Sequence, residues 1–323
     1  MRDHGGNIDQ AIEAFGGQVA DWIDLSTGIN RTPYPVPQIE DACWRALPTA
    51  ADRLLLHEAA RNAYGTNAAI LATAGAQAAI QMIPRMRTPG HARVLSPTYN
   101  EHAASLRACG WQVSEVTELG QLGGADMAVV VNPNNPDGRR YEPRDLLALL
   151  DRTGRLIVDE SFADPYTDIS VAKFAGRPGL LVLRSFGKFY GLAGVRLGFA
   201  IGSAADIDAL SSQAGPWPVS GPAIQIGKTA LADSAWSKSA SLRLEAGAQR
   251  LDDMAQSVGW KLAGGTLLFR LYETPDAHNA QKGLAHNYIW SRTFPWSKTW
   301  LRLGLPGPTS EWERLSAAFA RLA

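Results

Sequence analysis

Short apolar runs alternate with helix-like patterns through the middle of the chain. Helices are predicted between several of these runs, for example at Gln77–Met86, Glu101–Ala108 and Arg144–Asp151. Continuous apolar strands joined by helices favour a largely parallel sheet that is covered on both faces. We therefore predict an α/β domain on a mostly parallel seven-stranded sheet. Its strands are predicted at 69–75, 92–99, 111–117, 127–133, 155–162, 180–187 and 195–202.

The stretch AGPWPVSGP (214–222) interrupts this rhythm with proline and glycine, and it predicts a domain boundary. The pattern after it is typical of a small α+β domain: a long helix over Trp236–Gly259, strands at 265–273, 286–294 and 299–306, and a last helix at Ser310–Leu322. The first residues predict an irregular arm with two Gly-rich turns, HGGN and STGIN. The expected organisation is an arm at 1–35, a large α/β domain at 36–215 and a small α+β domain at 216–323.

Composition narrows the class of protein. With 323 residues, 46% hydrophobic and 19% charged, the chain is typical of a globular protein. Its 31 basic residues balance 31 acidic ones, and no basic run indicates a nucleic-acid partner. Only Cys43 and Cys109 occur, so neither a disulfide framework nor a metal site is expected. A polar N-terminus and short apolar runs predict neither a signal peptide nor a membrane span, and thus a cytoplasmic protein.

Polar residues follow several predicted strands, at the sheet edge where ligands of α/β proteins collect. Gly75, Ala76 and Gln77 come after the first strand and open a helix, so their backbone N–H groups suit a phosphate, although such a turn is commonly only a turn. Tyr99 ends the second strand, where its ring can stack on a planar ligand or simply pack at the rim.

Two further strand ends carry an amide and a carboxylate. Asn135 lies in the rigid turn NPNNPDG (132–138), which prolines and glycine alone could explain. Asp159 ends a buried strand, where a carboxylate is costly unless it meets a cation or a strong donor; capping of the next segment is the alternative.

The segment RSFGKFYGLAGVRLGF (184–199) places Lys188 and Arg196 in an apolar, Gly-rich run. Burial disfavours the charged form of a lysine, and Schiff-base chemistry needs a neutral amine. Alternatively, Lys188 extends to solvent and Arg196 forms a surface ion pair. Taken with the other strand-end groups, the set can hold a planar phosphorylated aldehyde with a pyridine nitrogen.

In this chain order the residues resemble those of the fold type I pyridoxal-phosphate enzymes, close to the histidinol-phosphate aminotransferase branch. The resemblance implies the cofactor pyridoxal 5'-phosphate and a homodimer. It implies that Lys188 binds the cofactor aldehyde covalently, that Asp159 pairs with the ring nitrogen, and that Tyr99 stacks on the ring. Asn135 matches the residue that bonds the phenolic oxygen. The resemblance also implies that the cofactor phosphate is bound by Gly75, Ala76, Gln77, Ser185 and Arg196.

The N-terminal arm narrows the resemblance from the wider family to one subgroup. HGGNID (4–9) and DLSTGINRTPYP (24–35) are similar to the N-termini of threonine-phosphate decarboxylases of cobalamin biosynthesis. The implied reaction converts L-threonine O-3-phosphate to (R)-1-amino-2-propanol O-2-phosphate and carbon dioxide. Arg302 matches the arginine for the substrate α-carboxylate, which a planar guanidinium suits. Substrate binding is further expected at Asn135, His4, Gly28 and Arg292, the phosphate falling to His4 and Arg292.

The sequence departs from the pattern of the wider family at two places. Phe162 stands where the wider family often has a tyrosine, and Leu47-Pro48 stands where a tyrosine motif usually reaches the neighbouring subunit. Phenylalanine also occurs in the decarboxylase subgroup, which favours the narrower assignment. The alternatives are an aminotransferase for a phosphorylated amine such as histidinol phosphate, and a non-catalytic partner of corrinoid enzymes.

Overall fold

The computed structural model describes residues 4–322, and the chain divides into two compact units. The large unit comprises Tyr34–Asn135 and Arg139–Ser237. The small unit comprises the segment that ends at Pro33, the short piece Pro136–Gly138 and the segment that begins at Lys238.

The helices and strands follow in chain order. The strands of residues 4–322 are β1 (Ile23–Asp24), β2 (Ala69–Thr73), β3 (His91–Leu95), β4 (Gln112–Val116), β5 (Met127–Val131), β6 (Leu156–Asp159), β7 (Leu180–Ser185), β8 (Gly198–Gly202), β9 (Lys261–Thr266), β10 (Phe269–Glu273), β11 (Ile289–Trp290), β12 (Arg292–Phe294) and β13 (Ser297–Gly304). The helices are α1 (Ile8–Phe15), α2 (Asp41–Arg45), α3 (Ala50–Tyr64), α4 (Ala76–Met82), α5 (Glu101–Ala108), α6 (Pro143–Leu150), α7 (Phe186–Phe189), α8 (Ala204–Ala214), α9 (Gly221–Ala232), α10 (Ser234–Ser257), α11 (Ala277–Ala285) and α12 (Thr309–Ala320).

The large unit is built on a seven-stranded sheet in the order β2-β8-β7-β6-β5-β3-β4. Neighbouring strands are parallel except that β8 runs antiparallel to both β2 and β7. β5, β7 and β8 are apolar runs that are buried almost throughout, as a sheet covered on both faces requires. The predicted α/β fold with a mostly parallel seven-stranded sheet is therefore confirmed.

The register brings polar strand ends together. Asp159 at the end of β6 lies between Val131 of β5 and Leu183 of β7. Because β8 is antiparallel, its first residue, Gly198, pairs with Ser185 at the end of β7 and with Thr73 at the end of β2. The residues that precede β8 therefore lie at the same edge as the residues that follow the other strands.

The small unit contains a four-stranded antiparallel sheet in the order β12-β13-β10-β9. Its apolar core includes residues from β10, β13, α10, α11 and α12. The short parallel pair of β1 and β11 completes the unit. Trp290 of β11 and Trp22, just before β1, pack with Ala11 of α1.

The sequence pattern was wrong in three places of the small unit. The run predicted as one strand at 265–273 is a hairpin of β9 and β10, in which Thr266 pairs with Phe269. The polarity pattern does not show this turn, because Leu267 and Leu268 are apolar and the Thr266 hydroxyl accepts the Leu268 N–H in place of a polar turn residue. The second predicted strand, 286–294, splits into β11 and β12, which belong to different sheets.

The third difference is α1, which lies in the arm predicted to be irregular. Its apolar residues recur at helical spacing: Ile8, Ala11, Ile12 and Phe15. Asn7 caps the helix by accepting the Gln10 N–H at 3.4 Å. The helical signal was therefore present, but it covers only eight residues.

No helix among residues 4–322 is long and apolar enough to cross a membrane. Nor does the range contain a group of three or more His, Cys, Asp or Glu residues that could hold a metal ion.

His57 makes the stability of the large unit sensitive to pH. Its Nε2 accepts the N–H of Ala72, on the edge strand β2, at 3.3 Å. Burial, reinforced by the positive charges of Arg61 and Arg53, lowers the pKa of His57 from 6.5 to about 4. The folded protein therefore keeps this imidazole neutral at a pH where the unfolded chain protonates it.

We expect the free energy of unfolding to fall as the pH drops from 6.5 to about 4, by roughly 3 kcal/mol from this group. His57→Gln keeps a hydrogen-bond acceptor but does not titrate, so its stability should fall less over this interval. Urea unfolding midpoints at several pH values measure the effect, and the exposed His278→Gln is the matched control. Equal slopes for wild type and His57→Gln would contradict the assignment.

Candidate active site

A cavity of about 720 Å³, part of it open to solvent, lies at the edge of the large unit's sheet where these strand ends meet. The structure brings together here all of the residues predicted to bind the cofactor: Gly75, Ala76, Gln77, Tyr99, Asn135, Asp159, Ser185, Lys188 and Arg196. Phe162, at the position where the wider family often has a tyrosine, lines the same cavity.

Asp159 places a carboxylate in the wall of the cavity, although the residue is only 2% exposed. Its Oδ1 accepts the Ser161 N–H at 2.9 Å and the Ser161 hydroxyl at 2.5 Å. Its Oδ2 lies 2.8 Å from Nε2 of His102. Burial by itself raises the pKa of Asp159, but the bonds from His102 and Ser161 outweigh it and hold the pKa below the ordinary value. The site therefore keeps a buried negative charge.

His102 and Ser161 are the residues that the sequence reasoning missed. His102 is 4% exposed on α5, three residues after Tyr99. Since a carboxylate can only accept, Nε2 of His102 carries the proton that is shared with Asp159. A histidine one turn after the candidate stacking residue was a weak signal, because helical spacing alone does not show which strand end the ring faces.

Glycines allow the turn between β2 and α4 to approach β8 closely. A Cβ on Gly198 would lie 2.3 Å from the Ala76 nitrogen, and one on Gly75 would lie 2.7 Å from Nη2 of Arg196. Gly75 has a φ of +74°, and Arg196 has the left-handed φ of +55°. The Arg196 guanidinium is thereby held against the turn that opens α4, beside its backbone N–H groups, an arrangement suited to a phosphate.

Asn135 belongs to a turn that buried asparagines hold in place. The side chain of Asn132 donates to the Tyr141 carbonyl at 3.0 Å and accepts the Tyr141 N–H at 2.9 Å. Asn134 accepts from the Thr98 hydroxyl at 2.6 Å and donates to the Pro97 carbonyl at 2.9 Å. The turn is therefore fixed at both of these positions, and Asn135 lines the cavity from it.

Lys188 lies on α7, the short helix that directly follows β7. Its Nζ is 5.8 Å from the centre of the Phe162 ring. A Cβ on Gly187 would lie 2.6 Å from the Ala193 Cα, so the residue before Lys188 must be glycine for this packing. Lys188 is partly buried, and it shares the cavity with Asp159.

Two predicted substrate residues, Arg302 and Arg292, lie in the small unit. They are direct partners across β13 and β12. Arg302 is 6% exposed and donates from Nη2 to the Ser26 carbonyl at 2.6 Å. Burial, followed by the charge of Arg292, lowers the pKa of Arg302 to about 9 against the influence of Asp24, so it stays charged at neutral pH. Like charges on adjacent strands are unfavourable, which is typical of a place that receives an anion.

The arm runs past this pair. A Cβ on Gly5 would lie 2.4 Å from the Ser26 carbonyl oxygen, so the HGGN turn approaches the STGIN turn closely. The hydroxyl of Ser26 accepts the Gly6 N–H at 2.7 Å. Of the two remaining predicted substrate residues, Gly28 is buried and His4 is exposed. Their roles remain predictions.

Comparison with known proteins assigns the family. Residues 46–319 match the family described as aminotransferase class I and II. The chain therefore belongs to this family. A threonine-phosphate decarboxylase from Pseudomonas aeruginosa is 44% identical to it, over 98% of this chain and 97% of that protein. A threonine-phosphate decarboxylase from a Sinorhizobium species is 39% identical, over 99% and 98% of the two chains.

The fold recurs in solved structures. The histidinol-phosphate aminotransferase from Sinorhizobium meliloti, in complex with pyridoxal-5'-phosphate, superposes with a TM-score of 0.78. The match covers 100% of this chain and 95% of that chain at 17% identity. At this identity the likeness establishes the fold, and it leaves the reaction to be argued from other observations.

Proposed function

We propose that this protein is a pyridoxal-phosphate-dependent lyase that decarboxylates L-threonine O-3-phosphate in cobalamin biosynthesis. The product is (R)-1-amino-2-propanol O-2-phosphate. The observation that carries the reaction is the 44% identity, over nearly the whole chain, to a protein named threonine-phosphate decarboxylase. The cavity supports the cofactor, because the groups that a phosphorylated pyridine aldehyde requires line it together.

The residues of the cavity fit pyridoxal phosphate. The Asp159 carboxylate, held ionised, is suited to a protonated ring nitrogen. Arg196 packs against the Gly75 turn, where a Cβ would lie 2.7 Å from its Nη2, and together with Ser185 and the turn's backbone N–H groups it would hold the phosphate in the cavity. Tyr99 would stack on the ring and Asn135 would bond its phenolic oxygen.

When bound, the cofactor supplies an aldehyde that condenses with amines and a ring that accepts an electron pair from the substrate Cα. The amine of Lys188 would hold that aldehyde in the absence of substrate. Once the substrate amine had taken its place, Lys188 as an ammonium would be placed to give a proton to Cα, which loses its carboxylate as carbon dioxide. Asp159, held ionised, would favour a protonated ring nitrogen.

The substrate carries two anionic groups, and we assign them to the small unit's arginines. Arg302 binds the α-carboxylate, for which its planar guanidinium is suited, and Arg292 with His4 binds the phosphate. Gly28 and Asn135 complete the substrate contacts. The register pairing of Arg292 with Arg302 supports a ligand with two anionic groups.

We further propose a homodimer. Large apolar side chains are exposed on or beside α2, α3 and the start of α9: Trp44 at 67%, Leu47 at 63%, Leu54 at 57% and Trp217 at 52%. Both α2 and α3 pack against α9, and so much exposed apolar surface is typical of an interface.

We also propose a cytoplasmic location. The free thiols of Cys43 and Cys109 support it, and cell fractionation tests it.

Purified enzyme loaded with pyridoxal phosphate should convert L-threonine O-3-phosphate to equal amounts of carbon dioxide and aminopropanol phosphate with no 2-oxo acid present. Borohydride should fix the cofactor on Lys188. Lys188→Ala should abolish the fixation and lower the rate by at least about 10³-fold, since it removes both the covalent anchor and the proton donor. Product analysis by mass spectrometry measures the reaction.

Two other results would favour the alternative functions. Strict dependence on a 2-oxo acid, with histidinol phosphate as a substrate, would favour the aminotransferase alternative. A protein that fixes no cofactor and forms no product would favour the non-catalytic partner.

Arg302→Lys keeps the charge but removes the planar fork, so we expect kcat/KM for threonine phosphate to fall about 10- to 100-fold. The absorbance of the bound cofactor should stay unchanged, because Arg302 is not among the cofactor residues. Arg144→Lys, at an exposed position of α6, is the control. Loss of cofactor binding by Arg302→Lys would contradict the assigned role.

Trp44→Asp combined with Leu54→Asp should convert the dimer to monomer in sedimentation velocity, because burying two carboxylates without partners opposes association. Leu262→Asp changes an exposed leucine of the small unit and should leave the dimer intact. A wild-type monomer, or a dimer that both substitutions leave unaffected, would contradict this interface.

A further inference from the structure

A buried carboxylate outside the assigned cofactor set is bonded to a residue that lines the cavity. Glu101, in the first turn of α5, is 8% exposed. Its Oε2 accepts from Nε2 of Gln77, in the first turn of α4, at 3.0 Å. The other end of the same amide, Oε1 of Gln77, lies 3.2 Å from the Tyr99 hydroxyl. A chain of hydrogen bonds thus runs from Glu101 through Gln77 to Tyr99.

The Glu101 carboxylate fixes the direction of both hydrogen bonds, from Gln77 to Glu101 and from Tyr99 to Gln77. A carboxylate only accepts, so the NH₂ group of Gln77 must face Glu101. The amide oxygen of Gln77 then faces Tyr99, and the Tyr99 hydroxyl must donate to it. If residue 101 were neutral and able to donate, the amide could turn over and the order of donors and acceptors would be lost.

The Tyr99 ring is therefore held in two ways. Its hydroxyl lies on the long axis of the ring, so the bond to Gln77 fixes where this axis points. Rotation about the axis is limited by His102, whose ring meets Tyr99 edge to face at 84° with centroids 6.1 Å apart. His102 is itself bonded to Asp159. The first turn of α5 thus orients the ring face and the carboxylate of the cavity together.

We infer that Glu101 is a positioning residue, which fixes the Gln77 amide and through it orients Tyr99 for stacking on the cofactor. This inference rests on the proposed function, because it needs pyridoxal phosphate in the cavity. Glu101 reaches Tyr99 by way of Gln77, so the contribution that it makes to cofactor affinity along this route depends on the Tyr99 hydroxyl.

A double-mutant cycle of Glu101→Gln and Tyr99→Phe tests this dependence. The dissociation constant of pyridoxal phosphate is measured by adding the cofactor to the apoenzyme, without borohydride, and following the absorbance of the cofactor bound to Lys188. We expect each single substitution to raise this constant about three- to tenfold. In the Tyr99→Phe background, Glu101→Gln should change it less than twofold. Glu58→Gln, at an exposed position of α3, is the matched control and should leave it unchanged.

The outcomes separate the two proposals. If wild type fails to bind pyridoxal phosphate, the proposed function fails. If wild type binds, the inference is overturned when Glu101→Gln binds equally well, or when its effect persists in full without the Tyr99 hydroxyl. Thermal midpoints of the apoenzymes show whether each variant folds. If Glu101→Gln does not fold, Gln77→Met interrupts the same chain, and its effect should likewise disappear in the Tyr99→Phe background.

Discussion

A negative charge buried at the end of β6 is the constraint around which the large unit is organised. A lone carboxylate in an apolar sheet is costly, and Asp159 is tolerated because His102 and Ser161 donate to it. These donors come from different elements, α5 and the turn after β6. Holding the charge therefore also fixes α5 against the sheet edge, and with it Glu101 in the first turn and Tyr99 two residues before the helix.

A second buried ion pair stabilises the same strand ends. Glu160 and Arg184, next in sequence to Asp159 and Ser185, join β6 to β7 at 3.0 Å, and both are at most 2% exposed. Glu160 also accepts from the Ser170 hydroxyl and the Val171 N–H, so this charge is satisfied as well. Since adjacent residues on a strand point to opposite faces, the cavity and this ion pair are held by the same short stretches of chain.

The proposed roles fall on residues of both units. The large unit contains Asp159, Lys188 and the Gly75 turn with Arg196, which are proposed to hold the cofactor, and the fold is shared with a histidinol-phosphate aminotransferase at 17% identity. The small unit contains the arginine pair. An anchored acid and lysine suit any reaction at an amino-acid Cα, so the bond that breaks depends on how the substrate's anionic groups are held. This is why the proposed decarboxylation depends on relatives at 44% and 39% identity rather than on the fold.

The sequence by itself determined the sheet and the membership of the cavity. Apolar runs separated by helices predicted all seven strands of the large unit, and strand-end polarity together with the family resemblance predicted nine residues that line one cavity. These features are local, because burial and turn chemistry are written in short stretches. Three features were decided by tertiary structure alone: the reversal of β8, which brings Arg196 to Gly75; the contact of His102 with Asp159; and the β9–β10 turn, whose leucines look like strand residues. The first two depend on which distant segment packs beside the residue, and a one-dimensional pattern of polarity contains no information about that neighbour. The third is a local turn, which the pattern does not show because its leucines are apolar.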